Sequence, residues 1–124
     1  MKTQYRAVVI GGGVVGTSLL YHLCKMGWEE SVLVEKIELT SGSTWHAAGL
    51  LPLFNMSYSV GKIHKYSVDL YQQLEEETGQ SVSFHRNGNL RLARTQERMD
   101  EYRRYSGTAS TIGVPYRLIG PDEV

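Results

Sequence analysis

Six residues, Gly11-Gly12-Gly13-Val14-Val15-Gly16, restrict this chain more than any others. They match the spacing G-x-G-x-x-G. They stand between a continuous apolar run, Ala7-Val8-Val9-Ile10, and a stretch with Leu19, Leu20, Leu23 and Cys24 at helical spacing. The first run is the mark of a parallel strand buried on both faces. The second predicts a helix to about Met26 with an inward stripe, Cys24 included as a buried inert thiol, and Gly27 as its terminating glycine. In such a turn the first glycine permits the sharp exit from the strand. The second, lacking a Cβ, lets the backbone approach a pyrophosphate, and the third lets helix and strand pack closely. The free N–H groups and positive dipole end of the helix then face a diphosphate.

Ser31-Val32-Leu33-Val34-Glu35 reads as a second buried strand. Two strands joined by one short helix imply parallel pairing with a right-handed crossover, and therefore an α/β fold. Glu35 stands 19 residues after Gly16, where a carboxylate can accept both hydroxyls of an adenosine ribose and would repel a 2′-phosphate. NADP is thereby disfavoured. NAD and FAD both remain open to the loop motif.

The rest of the chain reads more simply. Ile63, Tyr66, Leu70 and Leu74 space as one helix face, ended by Gly79. Val82 and Phe84, the turn at Asn87-Gly88, and Leu90 and Leu92 predict a β-hairpin. Thr95 is placed to cap a helix with Met99 and Tyr102 inward, and Tyr116-Arg117-Leu118-Ile119 predicts a short strand. Pro121 beside Asp122 and Glu123 looks like a helix start. A doubly wound sheet wants more than two strands, so the expectation is that residues 1–124 are the N-terminal part of a longer domain.

Charge excludes some partners. Thirteen basic and thirteen acidic side chains cancel, so no positive field draws nucleic acid or an anionic membrane. A single cysteine rules out an internal disulfide and a multi-cysteine metal site. No run approaches the roughly 18 apolar residues of a membrane span, and no secretory signal precedes the first strand. The expected setting is bacterial cytoplasm, or the mitochondrial matrix if a transit peptide has been removed.

Leu39 to Leu50 is a long loop of small and hydroxyl-bearing residues, suited to backbone lying against a large flat ligand and its phosphates. The segments Val9 to Gly16, Glu35-Lys36 and Ser43-Thr44-Trp45-His46-Ala47-Ala48-Gly49-Leu50 resemble the flavin domain of dimethylglycine and sarcosine dehydrogenases, of the D-amino-acid oxidase superfamily. Leu74 to Gly79 and Gly88 to Ala93 continue the resemblance. It implies a Rossmann-like FAD-binding domain with a parallel sheet, followed by a small hairpin and helix segment. It implies FAD, oxidation of an N-methylated glycine derivative by hydride transfer from the N-methyl carbon to the flavin, and release of the carbon as formaldehyde. Alternatively the carbon passes to tetrahydrofolate in a further C-terminal domain. Carried over by position, Gly11, Gly13, Val14, Val15 and Gly16 hold the pyrophosphate, and Glu35 and Lys36 the adenosine ribose region. Gly42, Ser43, Thr44, Trp45, Gly49 and Leu50 line the ribityl chain and ring, while His46 is bonded covalently to the flavin 8α-methyl carbon.

Other residues suggest less. His22, His64 and His85 lack metal-ligand spacing, and Glu75-Glu76-Glu77 reads as a solvated helix face. Arg91, Arg94, Arg98, Arg103 and Arg104 fall mostly on outward positions. None of the eight tyrosines lies in a motif that assigns it a role, so no catalytic residue and no metal ligand is named. The partners expected are a small amine substrate and the rest of the polypeptide. Alternatives are an oxidase or dehydrogenase of the same fold for another amino or hydroxy acid, a catalytically silent nucleotide-binding module, and a plain NAD-binding domain.

Overall fold

The computed structural model describes residues 2–124, which form two compact units, one ending at Leu50 and one running from Leu51 to Val124. In the first unit, β1 (Ala7–Ile10) and β2 (Ser31–Val34) pair in parallel, with Ala7 opposite Ser31 and Ile10 opposite Val34. Between them runs α1 (Val14–Lys25), packed on both strands. The α/β reading of the sequence holds. α1 ends in a Schellman motif: Gly27, at φ 81°, donates to the Cys24 carbonyl, and the Trp28 N–H reaches back to Leu23 at 2.9 Å.

The expected burial on both faces of β1 does not occur. Val9 is buried, but Val8 is 55% and Ile10 87% exposed. The reason is that α1 is the one α-helix among the described residues of this unit and packs on a two-stranded sheet. For the same reason Cys24, expected in the interior, is exposed, and Leu19 is half exposed, while Leu20 and Leu23 are half-buried.

In the second unit α2 (Tyr58–Thr78) and α3 (Gln96–Ile112) pack on each other. Ser57 caps α2 by accepting the Val60 N–H, and Gly79 ends it at φ 68°. Thr95 caps α3 as expected, accepting from the Arg98 N–H at 3.3 Å, and Met99 and Tyr102 are half-buried. The face of α2 that packs is only partly the expected one: Leu70 and Leu74 are half-buried. Ile63 and Tyr66 are more than half exposed, and the buried positions are Gly61 and Val68. Small residues decide this: Gly61 lies directly under the Ile112 side chain of α3, and Ser106 and Ala109 are buried on the α3 side. Gly61→Val is therefore expected to destabilise by about 2 kcal/mol through overpacking, and adding Ile112→Ala should recover part of that loss. Thermal unfolding of the two variants checks it.

The expected hairpin is absent; residues 80–94 contain no strand. A type I′ turn needs positive φ at both central residues, and of Asn87 and Gly88 only Gly88 has it, at 85°. A hairpin unsupported by a third strand is marginal in any case. Tyr116 to Ile119 likewise form no strand, having no neighbour to pair with. Tyr116 instead joins Tyr102 and Tyr105 around Phe54, with ring centroids 5.8–6.3 Å away, and Arg91 lies over the same ring at 5.5 Å. Arg98 and Arg103 pair with Glu101 and Asp100 on the surface of α3, the outward role expected for them. His64 donates from Nδ1 to the Pro52 carbonyl at 2.8 Å. Among the described residues no helix is long and apolar enough to cross a membrane.

Candidate cofactor site

The strand-to-helix turn of the first unit leaves no room for a side chain at Gly12, Gly13 or Gly16, and its backbone at Gly11 is one that glycine favours. Gly11 leaves β1 at φ 105°, a conformation glycine adopts without strain, while its N–H extends the ladder to Val34 O at 2.8 Å. Gly13 precedes α1 in extended conformation, and a Cβ on it would stand 2.9 Å from Thr44 Oγ1. A Cβ on Gly16 would enter the Gly11 carbonyl group. Gly12, a position the motif leaves free, is just as confined: a Cβ there would lie 2.5 Å from Leu39 Cδ2 and 3.2 Å from Glu35 Cβ. The three consecutive glycines were the available signal for this.

Two side chains close on the turn from outside it. Glu35 accepts the Gly12 N–H at 2.7 Å, and its other oxygen accepts from Lys36 at 2.7 Å and Ile37 at 3.1 Å. Thr44 Oγ1 accepts the Val14 N–H at 2.9 Å, and the Thr40 N–H donates to Gly12 O at 3.0 Å. Thr40 does so at φ 67°, a left-handed conformation that costs a β-branched residue on the order of 1–2 kcal/mol. Sequence reading placed Glu35 and Thr44 among the candidates but not Gly12, Leu39 or Thr40, which tie loop to turn.

The Gly12 N–H, then those of Ile37 and Lys36, hold the Glu35 carboxyl below the usual carboxylate range. A depressed folded value means these bonds contribute fully above the unfolded pKa and are lost as pH falls through the folded one. Acidification below about pH 5 should therefore destabilise the wild type more than Glu35→Gln, and unfolding midpoints measured against pH on both proteins test this.

The remaining candidates spread along the loop. Gly42 precedes a 3₁₀ turn, Ser43–His46, closed by the Ala47 N–H to Thr44 O at 3.2 Å. Trp45 is 69% exposed, and its ring lies 4.8 Å from that of His46. Gly49 takes φ 68°, while Lys36, Ser43, His46 and Leu50 are exposed. Glu35 thus bonds Gly12 and Thr44 bonds Val14, two side chains closing on the turn from Gly11 to Val14, with Val15 and Gly16 on the adjoining helical turn. An open hollow of about 430 Å³ beside it, along Val14, Val15, Ser18, Leu19 and His22, carries little polar chemistry.

These residues fit a dinucleotide's diphosphate. The first turn of α1 holds no acidic side chain and its opening amides have no intrahelical acceptors; Thr44 Oγ1 takes that of Val14, which leaves the Val15 amide and the Thr44 hydroxyl proton as donors beside the bare backbone of Gly13.

A family model described as "DAO: FAD dependent oxidoreductase" matches residues 6–124. The chain is 48% identical over 123 residues to a mitochondrial dimethylglycine dehydrogenase of Rattus norvegicus, covering 99% of this chain and 14% of that protein. It is 40% identical over 124 residues to the mitochondrial pyruvate dehydrogenase phosphatase regulatory subunit of Mus musculus, covering 100% of this chain and again 14% of the relative. Among solved structures, the L-proline dehydrogenase from P. horikoshii superposes with a TM-score of 0.87 at 32% identity, over 99% of this chain and 32% of that one. This chain therefore spans about a seventh of the length of the curated relatives it matches.

Proposed function

The chain belongs to the DAO family of FAD-dependent oxidoreductases, and from that premise we propose that its full-length protein oxidises an N-methylated glycine derivative of the dimethylglycine or sarcosine type. Residues 1–124 are, in this reading, the N-terminal part of its FAD-binding domain. The observation that carries the proposal is the 39–50 loop: the run Ser43 to Leu50 resembles amine-oxidising flavoenzymes, and Thr40 and Thr44 fasten it to the phosphate turn.

The division of labour follows from the residues. Gly11, Gly13, Val14, Val15 and Gly16 present backbone to the diphosphate, and Glu35, with Lys36 beside it, faces the adenosine ribose. To accept ribose hydroxyls, Glu35 shares oxygens that already take three backbone N–H bonds, which its lone pairs allow. Gly42, Ser43, Trp45, Gly49 and Leu50 line the rest of the cofactor, and His46 is its covalent attachment point at the 8α carbon. Bound FAD supplies the two-electron acceptor for the hydride leaving the N-methyl carbon. Tetrahydrofolate, as acceptor of the released carbon, belongs to a domain outside this chain. The setting is mitochondrial, in keeping with the names of the rat and mouse relatives; the bacterial cytoplasm draws no support from them.

Anaerobic addition of dimethylglycine or sarcosine to the full-length protein should bleach its flavin absorbance. Bleaching by some other amino or hydroxy acid alone would refute the substrate class. A second reading, a nucleotide-holding module without turnover, is favoured by the whole-chain likeness to a relative named as a regulatory subunit. Bound FAD that no member of the panel reduces is the outcome that reading requires.

A further inference from the structure

We propose that Thr44 is a positioning residue: its hydroxyl docks the flavin loop onto the start of α1 and thereby sets where His46 stands, independently of any cofactor. The inference deepens the FAD reading and rests on it for the role of His46.

The geometry is specific. Thr44 is 30 residues from Val14 in sequence, yet its Oγ1 takes the Val14 N–H at 2.9 Å. Like an N-cap, it satisfies one of the orphan N–H groups of the first helical turn, here from outside the helix, while Gly13 at the capping position has no side chain to cap the others. Gly13 is also what makes room, because any Cβ there would collide with the Thr44 hydroxyl. A second bond, Thr40 N–H to Gly12 O, fixes the near end of the same loop, at a left-handed Thr40 backbone that is unfavourable by itself. Between these anchors and the 3₁₀ turn that begins at Ser43, the path of the chain is set. His46 follows Thr44 by two residues inside that turn, and the Ala47 N–H closes it back on Thr44 O.

A hydroxyl has a property that this position uses. It accepts the Val14 N–H with one lone pair and keeps its own proton to donate. Thr44 can therefore give a hydrogen bond to a phosphate oxygen without releasing the helix. Serine preserves both functions. Valine has the same shape and neither function, and cysteine accepts only weakly.

The test uses full-length protein carrying His46→Ala, stripped of flavin, with Thr44→Val, Thr44→Ser or Thr44→Cys added. Amide exchange in the first turn of α1, followed by mass spectrometry, should be about tenfold faster in the valine variant, the size expected for loss of an N-cap. It should stay near the parent rate in the serine variant. FAD dissociation constants should follow the same order, with about a tenfold rise for valine. If valine prevents folding, cysteine takes its place and should lie on the valine side. With His46 intact, the share of flavin that resists acid extraction should fall in Thr44→Val and return in Thr44→Ser. Unchanged exchange and affinity in Thr44→Val, or a serine variant no better than valine, overturns the proposal. Should wild-type flavin come off entirely in acid, the attachment at His46 fails, while the exchange and affinity data still decide on Thr44.

Discussion

Full-length protein carrying Gly16→Ala is expected to purify colourless. A methyl group at this position enters the Gly11 carbonyl, a backbone atom with little freedom to withdraw. Gly11 is held from the other side by its N–H bond to Val34 O, so relief would require opening the end of the β1–β2 ladder or lifting α1 from it. Overpacking against fixed backbone costs about 3 kcal/mol, which corresponds to a loss of cofactor affinity of roughly 100-fold. The loss falls at the proposed diphosphate position, because lifting α1 moves the Val15 amide and breaks the Val14 N–H bond to Thr44 that holds the loop there. Gly107→Ala is the natural control. That glycine lies inside α3 with open space around it, so alanine should raise stability by about 0.5–1 kcal/mol and leave flavin content alone. Flavin-to-protein absorbance ratios and unfolding midpoints for the two variants separate a local steric effect from general sensitivity to added methyl groups.

The second large effect is expected at His46. Acid-precipitated wild-type full-length protein should carry its yellow colour into the pellet, and His46→Ala should release essentially all of it to the supernatant. The imidazole is exposed and rests against Trp45, so it is open to a bulky partner and has a surface to lie on. A covalent bond to the 8α carbon holds the ring system and withdraws electron density from it, so the alanine variant should also be reduced more slowly by substrate. Yellow supernatant from the wild type would remove the attachment while leaving the FAD site intact.

The parts of this fold that sequence reading captured are those dictated by neighbours along the chain. β-branched residues on one side of a glycine run and an amphipathic stretch on the other state the strand, turn and helix by local sterics alone. The same holds for the caps at Thr95, Gly27 and Gly79, where one residue's preference decides an element's end. What was missed depends on partners distant in sequence. Large side chains on α2 advertise the face of Ile63 and Tyr66, but the contact with α3 forms where Gly61 lets Ile112 approach, and a small residue leaves no mark in a hydrophobic pattern. Asn87-Gly88 is a fair hairpin signal, yet without a third strand to accept it the chain takes another path. At the site, the glycine spacing and Glu35 were legible because their order follows the path of one βαβ unit. The Thr44 bond to Val14 was not, since nothing local indicates which of several hydroxyls in the 39–50 loop reaches back across 30 residues.

In the proposed site the turn from Gly11 to Gly16, with Glu35, grips the ADP half of a flavin dinucleotide. Titrating stripped full-length His46→Ala protein with FAD, FMN and NADH tests it most directly, because FMN carries the same ring without that half. Saturable quenching of flavin fluorescence by FAD, at least 100-fold tighter than by FMN, and no response to NADH is the predicted result. Equal affinity for FAD and FMN, or binding of NADH in place of FAD, would contradict it.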